Sequence, residues 1–508
     1  MSRIENAKRN IVWGLLNKLL SIFLPFVIRT LIIYLVGENY LGLDGLFSSI
    51  LQMLNIAELG FSSAVVFSMY KPLADNDSKE VCALLALYRK TYRIIGALIL
   101  AVSVILLPFL PKLIKSGLPD DVNLYVLYAF FVLNTVLGYW MFAYKKSLLS
   151  ACQRADIISK INTLITLTKS GLQIFLLFIF KNYYYFVILM PIATVAENIC
   201  AEVVSRKYFP DYIPRGKVSS GSAKSIIQRI KGLMIQKVCS TSRNSLDNLV
   251  ISAYIGLTTI TIYGNYYLVI KSAHDVMASI TTAISGVVGN AVAKENVESN
   301  YDDMMMFSFM YLCIASIGTA VMLCDYQPLM HLWMKGKLLF PMYMVVLFCA
   351  YFFFLCINDI RSVYYQACGL WWEGRYRSIA EALSNLILNV LLGKFLGVAG
   401  IVLATLFSIV FINFGYGGTI IHKYYFKGIS PVKFYVYHIY YAIVTALGCV
   451  ICYKICSLIT VPYLLQLFAN GLICVAVMSL VLLICYFKLD VFKKSVSFIK
   501  KSIIPGKK

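Results

Sequence analysis

The chain reads as an all-α polytopic membrane protein of about fourteen transmembrane helices, arranged as two six-helix lobes plus two C-terminal helices. Three observations predict this. Of the 508 residues, 60% are hydrophobic, with a mean hydropathy of +0.77. Apolar runs of about 20 residues, the length that crosses a bilayer, recur from end to end. The 46 lysines and arginines crowd into alternate connections between those runs. A soluble globule does not carry so apolar a composition, so the bilayer is the solvent for most of the chain.

In order, the first six spans are predicted at 11–36, 44–70, 92–112, 122–144, 160–180 and 183–204. The first is expected to stay in the mature protein. It is too long for the apolar segment of a signal peptide, contains Lys18 and Arg29, and lacks a small-residue cleavage site. A polar break from Ser205 to Gly232, rich in Lys, Arg, Ser, Gly and Pro, separates these six from the next. The second six fall at 233–257, 259–290, 304–325, 341–368, 379–397 and 399–421. Windows 259–290 and 341–368 exceed one straight crossing, which predicts overhang, tilt or a break. A second basic break, His422 to Phe434, precedes spans at 435–458 and 462–487. The expected organisation is therefore an N-terminal lobe over 1–204, a linker over 205–232, a C-terminal lobe over 233–421, and two extra helices with a basic tail over 422–508.

Charge predicts the sidedness, because short loops rich in Lys and Arg stay in the cytoplasm. The N-terminus, alternate loops and the tail together hold 32 cations, among them Lys71, Arg89, Lys145, Lys146, Arg206, Arg377 and Lys493. The opposite set holds 6: Lys112, Lys115, Lys181, Lys335, Lys337 and Lys394. Both termini are expected in the cytoplasm. The net charge of +22 does not indicate nucleic acid here, since the cations sit at helix ends, where they face anionic headgroups of the membrane lipid. The 14 cysteines show no metal-ligand spacing and read as small apolar filler; no metal or cofactor is expected.

A repeat test supports two related halves. Val36-Gly37 and Gly45-Leu46-Phe47 correspond to Ile255-Gly256 and Gly264-Asn265-Tyr266 at an offset of 219, which also places Lys18 on Lys237. Ala151-Cys152 and Ala367-Cys368 each close the fourth span of their half. Because both halves start on the same side, they would be parallel repeats about an axis along the membrane normal, with a cavity between lobes and alternating access by rocking.

Charges inside spans cost several kcal/mol in hydrocarbon and should face the bundle interior or water. The deep cations are Lys18, Arg29, Lys169, Arg243, Lys271 and Arg361, and the deep acids are Glu58, Asp247, Asp275 and Asp359. Arg243 and Asp247, and likewise Lys271 and Asp275, are four residues apart, so each pair shares a helix face. Two readings stay open. The charges neutralise one another and pin the bundle, or Arg29, Lys169, Arg243 and Lys271 form a cationic lumen for an anionic headgroup. Glu58, Asp247 and Asp275 then serve coupling or charge pairing. There is no H-E-x-x-H, G-x-S-x-G or Walker loop, and only four histidines, so no catalytic residues are assigned and no enzyme activity is expected.

Several stretches together resemble the polysaccharide-export flippases of the Wzx type, within the MATE-like (MOP exporter) superfamily. They are Tyr70-Lys71-Pro72-Leu73-Ala74, Arg243-Asn244-Ser245-Leu246-Asp247-Asn248, Ile251-Ser252-Ala253-Tyr254-Ile255-Gly256-Leu257 and Tyr263-Gly264-Asn265-Tyr266-Tyr267, followed by Gly369-Leu370-Trp371-Trp372-Glu373-Gly374-Arg375-Tyr376 before Asn385-Leu386-Ile387-Leu388-Asn389. The resemblance implies translocation of a polyprenyl-pyrophosphate-linked oligosaccharide across a bacterial plasma membrane for capsule, exopolysaccharide or O-antigen assembly. It also implies a polymerase and glycosyltransferases as partners, and functional charge at Arg243 and Asp247. MATE drug antiporters commonly use an acid in the first span. This first span offers only Lys18 and Arg29, which disfavours cation-coupled drug efflux; a drug exporter or a peptidoglycan-precursor (lipid II) flippase of the same fold is the alternative.

Overall fold

A computed structural model describes residues 3–58, 61–218, 237–239, 241, 245–459 and 461–503. Every regular element among them is helical. The first compact unit, Met1–Thr261, contains α1 (Arg3–Leu35), α2 (Glu38–Leu54), α3 (Phe61–Ala74), α4 (Ser78–Leu106), α5 (Leu124–Trp140), α6 (Ala143–Ala151), α7 (Ala155–Phe180) and α8 (Tyr183–Tyr208). It ends with a helix at residues 245–254, α9. Between the two units α10 (Leu257–Lys294) runs across the boundary. The second unit, Ile262–Lys508, holds α11 (Val297–Met334), α12 (Met342–Ile357), α13 (Asp359–Ala367), α14 (Arg375–Leu396), α15 (Val398–Phe407), α16 (Gly417–Tyr424), α17 (Pro431–Cys456), α18 (Tyr463–Tyr486) and α19 (Asp490–Ile503). A π-helical stretch, Ser408–Tyr416, joins α15 to α16.

Eleven of the helices described are long and apolar enough to cross a membrane, twelve if the bent pair α5–α6 is one span. The protein is an integral membrane protein. Its outward faces confirm the solvent: Phe395 is 77% exposed, Leu472 75% and Leu458 81%, which water would not tolerate over so many helices. The sequence windows without a single long helix are the second and the seventh. Window 44–70 is built from α2, a short 3-10 turn at Asn55–Glu58 and α3, and window 233–257 includes residues outside those described. The other twelve windows each coincide with one helix or one broken pair. The long windows 259–290 and 341–368 resolve as overhang in the 38-residue α10 and as a break between α12 and α13 at Asn358.

Local chemistry sets the ends. Asp77 accepts from the backbone N–H groups of Lys79 and Glu80 and starts α4, Asn123 and Asn182 start α5 and α8 in the same way, and Ser430 followed by Pro431 starts α17. Phe142, at φ 50°, breaks α5 from α6 with a 49° bend.

At two of the positions paired by the glycine spacing the backbone conformations are alike. Gly37 and Gly256 both take positive φ, 132° and 139°, and each is followed by a helix start. Ala151-Cys152 and Ala367-Cys368 each close a nine-residue helix, α6 and α13. The preceding helices α5 and α12 are also alike in length, 17 and 16 residues.

Glycine permits two close approaches of backbone to backbone. A Cβ on Gly42 would lie 2.4 Å from the Leu257 carbonyl oxygen, and one on Gly400 would lie 2.1 Å from that of Leu392. At Gly400 the obstacle is backbone on both sides of the α14–α15 hairpin, so no rotamer relieves it. Gly400→Ala is expected to cost about 3 kcal/mol by overpacking. The thermal unfolding midpoint of purified protein in detergent checks this, and wild-type melting would contradict the packing.

Candidate functional site

Within the first unit a polar cavity of about 790 Å³ opens among α3, α4, α5, α6, α8 and the 3-10 turn that carries Glu58. The chain interrupts the helix at Asn55–Glu58, which turns Glu58 inward. Its carboxylate accepts hydrogen bonds from the hydroxyls of Tyr92 and of Tyr139, the latter at 2.9 Å. Tyr88 and Tyr92, one turn apart on α4, stack with ring centroids 4.2 Å apart and line the same wall. Opposite, Lys146 pairs with Glu197 at 2.5 Å. Two carboxylates and one ammonium thus face this space.

A second polar group forms where α1 packs against α7. Arg29 of α1 and Lys169 of α7 both act electrostatically on Asp44 of α2. Tyr183, at the start of α8, donates to Asp44 Oδ1 at 3.3 Å. Arg29 Nη2 also donates to the Thr261 carbonyl at 3.3 Å. Lys169 interacts with Glu197 as well as Asp44, so charges alternate from Arg29 through Asp44, Lys169 and Glu197 to Lys146. Two cations far apart in sequence therefore act on one carboxylate, which sequence reasoning missed because Asp44 sits at the edge of its window.

The remaining predicted residues are placed as follows. Arg243 lies outside the described residues. Asp247, only 3% exposed, is on α9 in the first unit, beside Ser245, which donates to Gln52 Oε1 at 3.0 Å, and Asn248, which donates to Ser49 Oγ at 2.9 Å. Lys271 and Asp275 belong to the second unit, the former exposed and the latter half-buried on α10.

The second unit gathers buried polar groups of its own. Asp359, at the start of α13, accepts from Tyr311 at 2.5 Å and lies 3.0 Å from His274 Nε2. Two residues further along, Arg361 is 1% exposed. Its guanidinium donates to Asn413 Oδ1 at 2.7 Å, Arg377 donates to the same oxygen at 2.9 Å, and Asn413 Nδ2 donates to both oxygens of Glu381 at 2.9 and 3.0 Å. Asn413 lies in the π-helical stretch, whose wider turn brings its amide into line with all three partners. Arg361 was legible as a deep cation; Arg377, Glu381 and Asn413 were not, although the Arg377–Glu381 spacing of four residues carried a signal.

Among the described residues, two sets of side chains bring three possible metal ligands within 4.8 Å of one another: His274, Cys356 and Asp359, and Cys324, Cys456 and Cys474. In the first, hydrogen bonds to Tyr311 and His274 already occupy Asp359. The second joins α11, α17 and α18, a convergence that linear cysteine spacing does not disclose.

No family model matches the chain, and no curated protein matches it by sequence. Solved structures do match. A lipid II flippase, MurJ, in an inward closed conformation superimposes with a TM-score of 0.65 at 16% identity, over 94% of this chain and 99% of that one. An inward-facing multidrug-resistance MATE transporter of the MOP superfamily gives 0.60 at 13% identity, over 80% of this chain and 96% of that one. A Vibrio cholerae MATE transporter gives 0.55 at 14% identity, over 82% and 97%. The chain has the MATE/MurJ-like fold.

Proposed function

We propose that the protein translocates a polyprenyl-pyrophosphate-linked oligosaccharide across the bacterial plasma membrane by alternating access, supplying surface polysaccharide assembly in the manner of Wzx-type flippases. The observation that supports the flippase part of this reading is the extent of the fold match. The flippase structure pairs with 94% of this chain, whereas the two MATE transporter structures pair with 80% and 82%. The cargo chemistry is supported by Arg29 and Lys169, two cations that act electrostatically on the Asp44 carboxylate within membrane-embedded helices, where an anionic headgroup can compete for them.

The test uses proteoliposomes carrying a fluorescent polyprenyl-pyrophosphoryl oligosaccharide, with a membrane-impermeant quencher added to the outside. Protein-dependent access of inner-leaflet lipid to the quencher is expected. No acceleration over protein-free vesicles, combined with dye efflux from the same vesicles, would favour a drug exporter instead. Faster movement of lipid II than of any capsule or O-antigen precursor would favour the peptidoglycan reading, to which the MurJ match also lends support.

The Glu58 cavity favours coupling to a cation or proton. Two tyrosine hydroxyls stabilise the carboxylate, while Lys146 is engaged by Glu197. Glu58→Gln keeps an acceptor for the tyrosines and removes the charge. It is expected to abolish the response of transport to an imposed ion gradient and to leave the melting temperature close to wild type. An undiminished gradient response would remove Glu58 from coupling.

A further inference from the structure

A cleft of about 550 Å³ separates the Arg154 end of α7 from the Tyr208 end of α8. It shares no lining residue with the Glu58 cavity. Its walls are apolar, built from Ile157, Ile161, Leu164 and Ile165 on α7 and from Cys200 and Val204 on α8. Its rim is basic. Arg154, Lys160 and Lys207 ring the mouth against a single carboxylate, Asp156.

That carboxylate fixes the arginine. Arg154 Nε and Nη2 donate to the two oxygens of Asp156 at 2.9 and 3.2 Å, and the guanidinium lies 4.7 Å from the centre of the Tyr208 ring. The hydrogen bonds to Asp156 hold the Arg154 pKa above its ordinary value, so the group stays charged at any pH the cell meets. Lys160 and Lys207 are exposed beside it.

The dimensions suit one leaflet. From Asp156 to Ile165 the α7 wall rises about 14 Å at roughly 1.5 Å per residue, close to half of a hydrocarbon core of about 30 Å. A ligand that fills the cleft must present an anion at the rim and an apolar chain about one leaflet deep. We infer that this cleft is a binding site for an anionic glycerophospholipid, with its phosphate among Arg154, Lys160 and Lys207 and an acyl chain against Ile157, Ile161 and Leu164. The cleft shares no lining residue with the Glu58 cavity and includes none of Arg29, Asp44 and Lys169, the residues assigned to the cargo, so its occupant is assigned as a resident lipid. Basic residues near a membrane surface each attract anionic lipid, and here three of them converge over an apolar slot that can also hold the chain.

Native mass spectrometry of the full-length protein, titrated with phosphatidylglycerol or phosphatidylcholine of identical chains, tests the assignment. The wild type is expected to retain phosphatidylglycerol roughly fivefold or more over phosphatidylcholine, the preference that about 1 kcal/mol of headgroup attraction gives. Lys160→Glu with Lys207→Glu, both on exposed positions, is expected to bring the two lipids to equal retention, with a melting temperature close to wild type as the control for folding. Leu164→Trp, on an exposed position of the wall, is expected to reduce occupancy by both lipids. Equal retention of the two lipids by the wild type, or an unchanged ratio in the charge-reversed variant, would overturn the site. Displacement of phosphatidylglycerol by equimolar polyprenyl phosphate, lost in the same variant, would overturn the resident-lipid assignment and give the cleft to the cargo.

Discussion

Arg29→Ala and Lys169→Ala are each expected to slow translocation of the lipid-linked oligosaccharide roughly tenfold to a hundredfold, with insertion into the membrane intact. Hydrogen bonds to a charged partner contribute about 1.5–3 kcal/mol, and each increment of about 1.4 kcal/mol is a factor of ten. The competing explanation is that the two cations exist only to neutralise Asp44. Asp44→Asn separates the two. If neutralisation is the whole role, adding Asp44→Asn to Arg29→Ala restores both thermal stability and transport, because the carboxylate that needed the arginine is gone. If the cations bind pyrophosphate, stability recovers while transport stays low. The discriminating measurement is therefore the quencher-accessibility rate beside the melting temperature for wild type, Arg29→Ala, and Arg29→Ala with Asp44→Asn. Full recovery of the rate in the double variant would remove Arg29 from substrate binding.

Much of the fold was legible because hydropathy windows and helices obey the same length rule. What a linear reading could not see is which charges are pulled inward. Lys145, Lys146 and Arg377 count as loop cations in the sidedness argument, yet Lys145 is 2% exposed and Arg377 5%. The short helix α6 and the first turn of α14 fold their basic residues back onto partners, Glu202 at 3.7 Å for Lys145 and Glu381 at 3.7 Å for Arg377. The positive-inside pattern records where a cation sits along the chain, not where its long side chain ends. Glu58 and Arg361 were visible as deep charges because each lies in the middle of an apolar run. Their partners were not, since Tyr92, Tyr139 and Asn413 are ordinary membrane-helix residues until packing brings them together. The π-helical stretch has no signature in residue type at all. Gly417, at its end, does: a Cβ there would lie 2.4 Å from Arg361 Nη1, so the glycine makes room for the buried guanidinium.

Asn413→Leu is expected to be the most destabilising substitution in the second unit. The side chain of Asn413 serves four hydrogen bonds at once, receiving Arg361 and Arg377 on its oxygen and giving its two donor contacts to Glu381. Leucine matches its size and supplies none of them. Arg361 would then be left in a site 1% exposed, with the 3.7 Å Arg377–Glu381 contact the remaining ion pair of the group. Arg361 keeps the acceptor Asn358 Oδ1 at 3.2 Å, but leaving a buried hydrogen-bonding group without its partner costs about 1–3 kcal/mol and more for a charged one, which is a large share of the stability of an ordinary domain. The purified variant should melt well below wild type or fail to accumulate. A compensating exchange shows whether hydrogen bonding is the cause. Asn413→Asp alone keeps the acceptor for both arginines but sets a second carboxylate against Glu381, so it should be destabilised as well. With Glu381→Gln added, the new amide at position 381 donates to the carboxylate at position 413, the arginines keep their acceptor, and stability should return toward wild type. Wild-type melting of Asn413→Leu, or no recovery when Asn413→Asp and Glu381→Gln are combined, would mean that the π-helical stretch is held by packing of its apolar neighbours and not by the charges it gathers.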